Sequence, residues 1–170
     1  MKSFIFVMFL SGCLFIGSSC SRQKAFDDYD DQERGLNLQD AFEYDYKKKE
    51  IFTSNKLDAK VKFSGIDTLW ELDCQKNDEL VIAYKTENKT GKFKVLLVKP
   101  DQEMELIVEN TETGTSTLEI PKGKNYIRIV GSQSEADIEM SYKVGTKTKI
   151  IMNKIEENKK YGQGRNALFN

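Results

Sequence analysis

The side chains in this chain that could do chemistry are a few thiols, several carboxylate pairs and a set of aromatic residues. The thiols are Cys13, Cys20 and Cys74. Histidine is absent, which removes the commonest general base and the commonest metal ligand together. Neither a Ser-His-Asp nor a Cys-His device can be assembled, and a zinc site would rest on too few cysteines. Glu103 with Glu105 and Asp137 with Glu139 stand two apart. On a strand that spacing puts both acids on one face, where a pair could hydrolyse a glycoside. Both pairs fall on the polar side of alternating runs, which reads as solvated surface. Trp70, Tyr84, Tyr126 and Tyr142 could form a stacking platform for sugars, although strand aromatics more commonly pack in a core. There is no glycine-rich phosphate loop, nucleophile elbow or two-cysteine motif. No catalytic residue, metal ligand or cofactor is expected. A net charge of −1 gives no global basic field for nucleic acid.

Two of the thiols lie in or beside an apolar N-terminal segment. Met1-Lys2 is a minimal basic start, Ser3 to Ile16 is almost wholly apolar, and Gly17-Ser-Ser19 leads to Cys20. Charged and polar residues begin at once with Ser21-Arg-Gln-Lys24. This is the layout of a secretory signal, too short for an ordinary permanent span of about 20 residues. The segment resembles the N-termini of bacterial lipoprotein precursors. The resemblance implies that a cysteine after small residues is lipidated on its thiol and becomes the first mature residue. Gly17-Ser-Ser-Cys20 is favoured for its signal length and the polar residues that follow. Leu10-Ser-Gly-Cys13 is the alternative and the closer match to the family's four-residue box. Several palmitate-like acyl chains on that cysteine would anchor the protein durably, because each buried CH₂ contributes about 0.8 kcal/mol. Cys74 reads as a small buried hydrophobe, and a disulfide scaffold is excluded.

The residues that follow change character. Asp27-Asp-Tyr-Asp-Asp31 is an acidic cluster and Lys47-Lys-Lys49 a basic one, with sparse apolar residues such as Phe42, Tyr44 and Tyr46. A calcium loop of the EF-hand type would need glycine at its sixth position; counted from Asp28 that residue is Glu33. The stretch reads as a solvated, self-repelling spacer, in which Leu38 to Lys48 could form a short helix.

The rest must form the folded scaffold. From Lys56 the hydrophobic period is close to two. Leu57, Ala59, Val61 and Phe63 alternate with charged residues, and short strands follow at Thr68–Leu72 and Glu79–Lys85. Glu87 to Gly91 reads as a polar hairpin loop. Lys92–Lys99 and Met104–Glu109 form a strand pair about Pro100-Asp101. In the first of them Phe93, Val95 and Leu97 share a face, and Leu96 and Val98 make the other face apolar too, as in a central strand covered on both sides. In the second, Met104, Leu106 and Val108 share a face. Further runs cover Thr115–Ile120, Asn125–Val130 and Ala136–Lys143.

These observations predict an all-β fold: an antiparallel, jelly-roll-like β-sandwich of about eight short strands. The short motifs Asn77–Ile82, Val98–Asp101 and Lys122–Val130 weakly resemble the pre-peptidase C-terminal β-sandwich modules of secreted bacterial enzymes, which implies fold and not function. The expected organisation is a signal peptide over 1–19, a lipidated cysteine and polar tether over 20–55, the sandwich over 56–145 and a basic tail over 146–170. The expected function is a non-enzymatic, lipid-anchored surface module on the extracytoplasmic side of the cell membrane, meeting a protein or cell-wall partner. A carbohydrate-binding domain with exposed aromatics is the alternative.

Overall fold

The computed structural model describes Tyr29 and residues 40–152, apart from the side chains of 46–50. Seven strands form one antiparallel sheet: β1 (Ala41–Phe52), β2 (Lys56–Cys74), β3 (Asp78–Val98), β4 (Met104–Glu109), β5 (Glu112–Ile120), β6 (Gly123–Lys143) and β7 (Thr148–Met152). The order is β1-β2-β6-β3-β4, with β5 also on β3 and β7 also on β2. The all-β, antiparallel architecture read from the period-two pattern is the one found.

All eight expected segments lie in strands, but they are joined differently. β2, β3 and β6 are 19, 21 and 21 residues long, each uniting two segments that read as separate short strands. Each long strand bends near its middle and passes from one layer of the sandwich into the other. The first layer holds Lys56–Phe63, Asp78–Asn88, Glu135–Lys143 and β5; the second holds Ile66–Cys74, Phe93–Val98, Gly123–Val130, β4 and β7. One buried cluster joins both inner faces. Trp70 of the second layer meets Tyr142 of the first edge to face at 5.0 Å, and Phe63 meets Phe93 at 6.3 Å.

The bends have local causes. β2 slips register against β6 between Phe63 and Gly65, and Gly65 holds φ at +113°, a value side chains rarely tolerate. β3 slips twice between Asn88 and Lys92 around Gly91, at φ +67°. Glu87 to Gly91 is therefore a bend inside one strand and not a hairpin loop. Bulges of this kind increase twist and let a strand turn a corner without ending.

The central pair confirms one face and corrects another. Phe93, Val95 and Leu97 are fully buried in the main cluster, while Leu96 and Val98 are buried on the opposite face. In β4 the register slips so that Val95 pairs with Val108 but Leu96 with Leu106, leaving Ile107 over. The extra residue turns Ile107 and Val108 both inward and leaves Leu106 52% exposed. Strict alternation of Met104, Leu106 and Val108 thus fails at a bulge. Leu97→Ala should cost about 2–5 kcal/mol in denaturant unfolding as a core truncation. Leu106→Ala should stay within about 0.5 kcal/mol as a surface change. Equal costs would reverse the face assignment.

Two further corrections concern the boundaries. Part of the expected tether is β1, an edge strand pairing with β2 from Ala41↔Ile66 to Phe52↔Leu57. It is a strand and not the short helix that Leu38 to Lys48 could form. Its half-buried aromatics explain why: Tyr44 stacks on Phe63 at 5.4 Å, and Phe52 lies tilted against Trp70 at 5.5 Å. Likewise the expected tail contributes β7, whose Ile150 and Met152 pack against the core.

Candidate functional site

Trp70, Tyr84 and Tyr142 do not form a surface platform. They are buried, and Tyr126 is half-buried. The Trp70 indole N–H donates to the Thr53 carbonyl at 3.0 Å, and the Tyr142 hydroxyl donates to the Ser54 carbonyl. Burial pushes the Tyr142 phenol well above its ordinary range. The rings point between the layers because period two puts them on the inner face, with Trp70 returned there by a register slip between Thr68 and Trp70. The carbohydrate reading loses the surface it required.

The carboxylate pairs are engaged with lysines. Lys99 bridges Glu103 at 3.3 Å and Glu105 at 3.0 Å. Asp137 sits between Lys60 at 3.2 Å and Lys89 at 3.1 Å. Burial pulls the Asp137 carboxyl upward, but hydrogen bonds from Lys89 and Lys60 outweigh it and leave it below the usual range. Glu139 meets Lys85 at 2.9 Å. These acids have cationic partners and face away from the core, which suits a solvated surface. Cys74 is a buried free thiol, as its sequence context suggested. Burial raises its pKa, against hydrogen bonds from Thr148 and Asn125, so it stays protonated and weakly nucleophilic at neutral pH. Cys13 and Cys20 lie outside the described residues.

A concavity of about 450 Å³ opens at the end of the sandwich away from the bends. Asp78, Glu79, Asp101, Glu103 and Glu119 rim it, with Lys99 the one cation. Its polar groups mostly hold turns together. The Asp78 carboxylate accepts from the Glu79 N–H and the Thr148 hydroxyl, both at 2.9 Å. These bonds keep its pKa below the usual carboxylate value, so it does not act as a general acid near neutral pH. Asp101 accepts from the Glu103 N–H at 3.1 Å, and Asn77 from the Lys122 N–H at 2.9 Å. Among the described residues no group of three or more Cys, Asp or Glu could hold a metal ion.

The most specific surface feature is one that sequence reading assigned to the tether. Tyr29 is buried against the outer face of the second layer with Ile66, Leu96, Val130 and Met104. Its hydroxyl donates to Glu109 at 2.7 Å. The Lys94 ammonium donates to the Tyr29 carbonyl at 2.7 Å and lies 4.3 Å from the ring centroid, with Lys92 at 5.2 Å. A second seat lies on the same face. Asp40 accepts from the Thr68 N–H at 3.0 Å, the Thr68 hydroxyl at 2.6 Å and the buried Arg128 guanidinium at 3.0 Å. The only sequence hint was the second apolar face of β3, which needed a cover. Lys94, on the same outer face of β3 as Leu96, clasps Tyr29. Lys94→Ala should cost about 1–2 kcal/mol through the lost cation–π contact and hydrogen bond. The exposed Lys62→Ala should leave the melting temperature unchanged; equal behaviour of the two variants would refute the clasp.

What this arrangement supplies is a β-sandwich with Tyr29 and Asp40 held against one outer face. Compared with models of known protein families and with curated proteins, the chain finds no match.

Proposed function

We propose that the protein is a lipid-anchored, extracytoplasmic β-sandwich that works by contact with a protein or cell-wall partner and not by catalysis. The observation that carries this is the border at Cys20: apolar Ser3–Ile16, small Gly17-Ser-Ser19, the thiol, then charged Ser21-Arg-Gln-Lys24. A transferase in the membrane can reach a thiol at such a border, and small neighbours let a peptidase approach the backbone beside it. The absence of histidine and the protonated, buried Cys74 support a role without nucleophilic or general-base chemistry.

The spacer on this reading is short. Eight residues separate Cys20 from Tyr29. Fully extended, that span reaches about 30 Å, and as a flexible coil it averages about 17 Å. A domain clasped at Tyr29 would ride close to the bilayer, with the bend end nearer to it than the acidic concavity.

Cys20→Ser should abolish palmitate labelling and leave the signal uncut or release the domain, while Cys13→Ser should leave anchoring intact. Mass spectrometry of the mature N-terminus reads the outcome directly. A diacylglyceryl cysteine followed by Leu14 would move the anchor to Cys13. An unmodified N-terminus lacking both cysteines would end the lipoprotein reading.

A further inference from the structure

β5 pairs with β3 residue for residue, from Asp78↔Ile120 to Thr86↔Glu112, with no register slip. Its other edge carries no strand among the described residues. Exposed edges normally carry a device against unwanted pairing: lysine, proline, a bulge or short length. β1 slips register twice and includes Lys47-Lys-Lys49, and β4 is six residues with a bulge. β5 has no lysine, proline or bulge, and its charges, Glu112 and Glu119, stand only near its two ends. It is nine residues long and regular, and its centre, Thr113-Gly-Thr-Ser-Thr-Leu118, carries no charge.

We propose that β5 is a pairing edge at which two copies of this chain join antiparallel about a two-fold axis through Ser116. A two-fold interface must be complementary to itself, and this strand is. Centring on Ser116 puts Thr115 opposite the other copy's Thr117, Gly114 opposite Leu118, Thr113 opposite Glu119 and Glu112 opposite Ile120. No carboxylate faces a carboxylate, and threonine pairs directly across strands are favourable. The faces agree as well. Thr113, Thr115, Thr117 and Glu119 are exposed, while Leu118 and Ile120 are buried. With the axis through a residue, outward residues oppose outward residues and inward oppose inward, so the first layer continues as one sheet across both copies. An axis between residues would set each threonine against a core position.

Disulfide trapping tests this in the purified full-length chain in detergent, with the unsubstituted protein as background. Ser116→Cys brings two thiols face to face on the axis and should give a linked dimer on mild oxidation. Thr113→Cys, opposite Glu119, should give at least tenfold less. Adding Thr115→Lys and Thr117→Lys to the Ser116→Cys protein places lysine opposite lysine twice and should lower the dimer yield at least tenfold. Thr115→Lys with Thr117→Glu makes those pairs opposite in sign and should restore it. Thr115 and Thr117 are exposed and Ser116 is half-buried, and a melting curve for each variant verifies folding. Linking at Ser116 no greater than at Thr113, or a yield unmoved by the paired lysines, would overturn the proposal.

Discussion

Gly65→Ala is expected to destabilise the fold by about 2–6 kcal/mol, combining the cost of a non-glycine residue in a forbidden backbone region with overpacking. A Cβ at Gly65 would stand 2.1 Å from the Ala41 carbonyl oxygen and 2.7 Å from the Phe42 Cα. Both obstacles are backbone, so neither can rotate away. At φ +113° the side chain is strained regardless of space. The substitution acts on two things at once: the corner by which β2 passes between layers and the seat of β1 beside it. Urea unfolding measures the loss. A change below about 0.5 kcal/mol would mean that the strand turns its corner without the glycine.

Trp70→Ala should cost about 3–5 kcal/mol as a large aromatic truncation in the core. Trp70 is 0% exposed, packs edge to face with Tyr142 and donates to Thr53. It therefore ties the second layer to the first and to the turn between β1 and β2. Tyr126→Ala, at a half-exposed position, should cost much less. Because Trp70 is the only tryptophan in the chain, its fluorescence reports this one site. Emission should be blue-shifted when folded, move to the red on unfolding, and remain unchanged on titration with soluble glycans. A sugar-dependent shift with the fold intact would restore the platform that its burial argues against.

The sequence by itself determined that the chain is all-β and which residues face inward over most of its length. Side chains alternate strictly along a strand, so the faces of Leu57–Phe63, Phe93–Leu97 and Ala136–Tyr142 are written in the order of residues. It also determined that no imidazole is available as a base or a ligand, since a missing histidine is missing in any fold. Tertiary structure alone decided whether each glycine-containing break reverses the chain or bends it. Gly65 and Gly91 interrupt the pattern as a turn would, and only the partner strands distinguish the cases: β6 runs beside β2 and β3 through both layers. It likewise decided the faces around Leu106, because one unpaired residue in β4 shifts every neighbour after it. The cover over Leu96 was legible as a need but not as an answer. Tyr29 and Asp40 stand among acidic and polar residues that read as a solvated spacer. What holds them is a long-range match, Lys94 to Tyr29 and Arg128 to Asp40. Local periodicity carries no information about partners 65 and 88 residues away, which meet only once the sheet has brought β3 and β6 side by side.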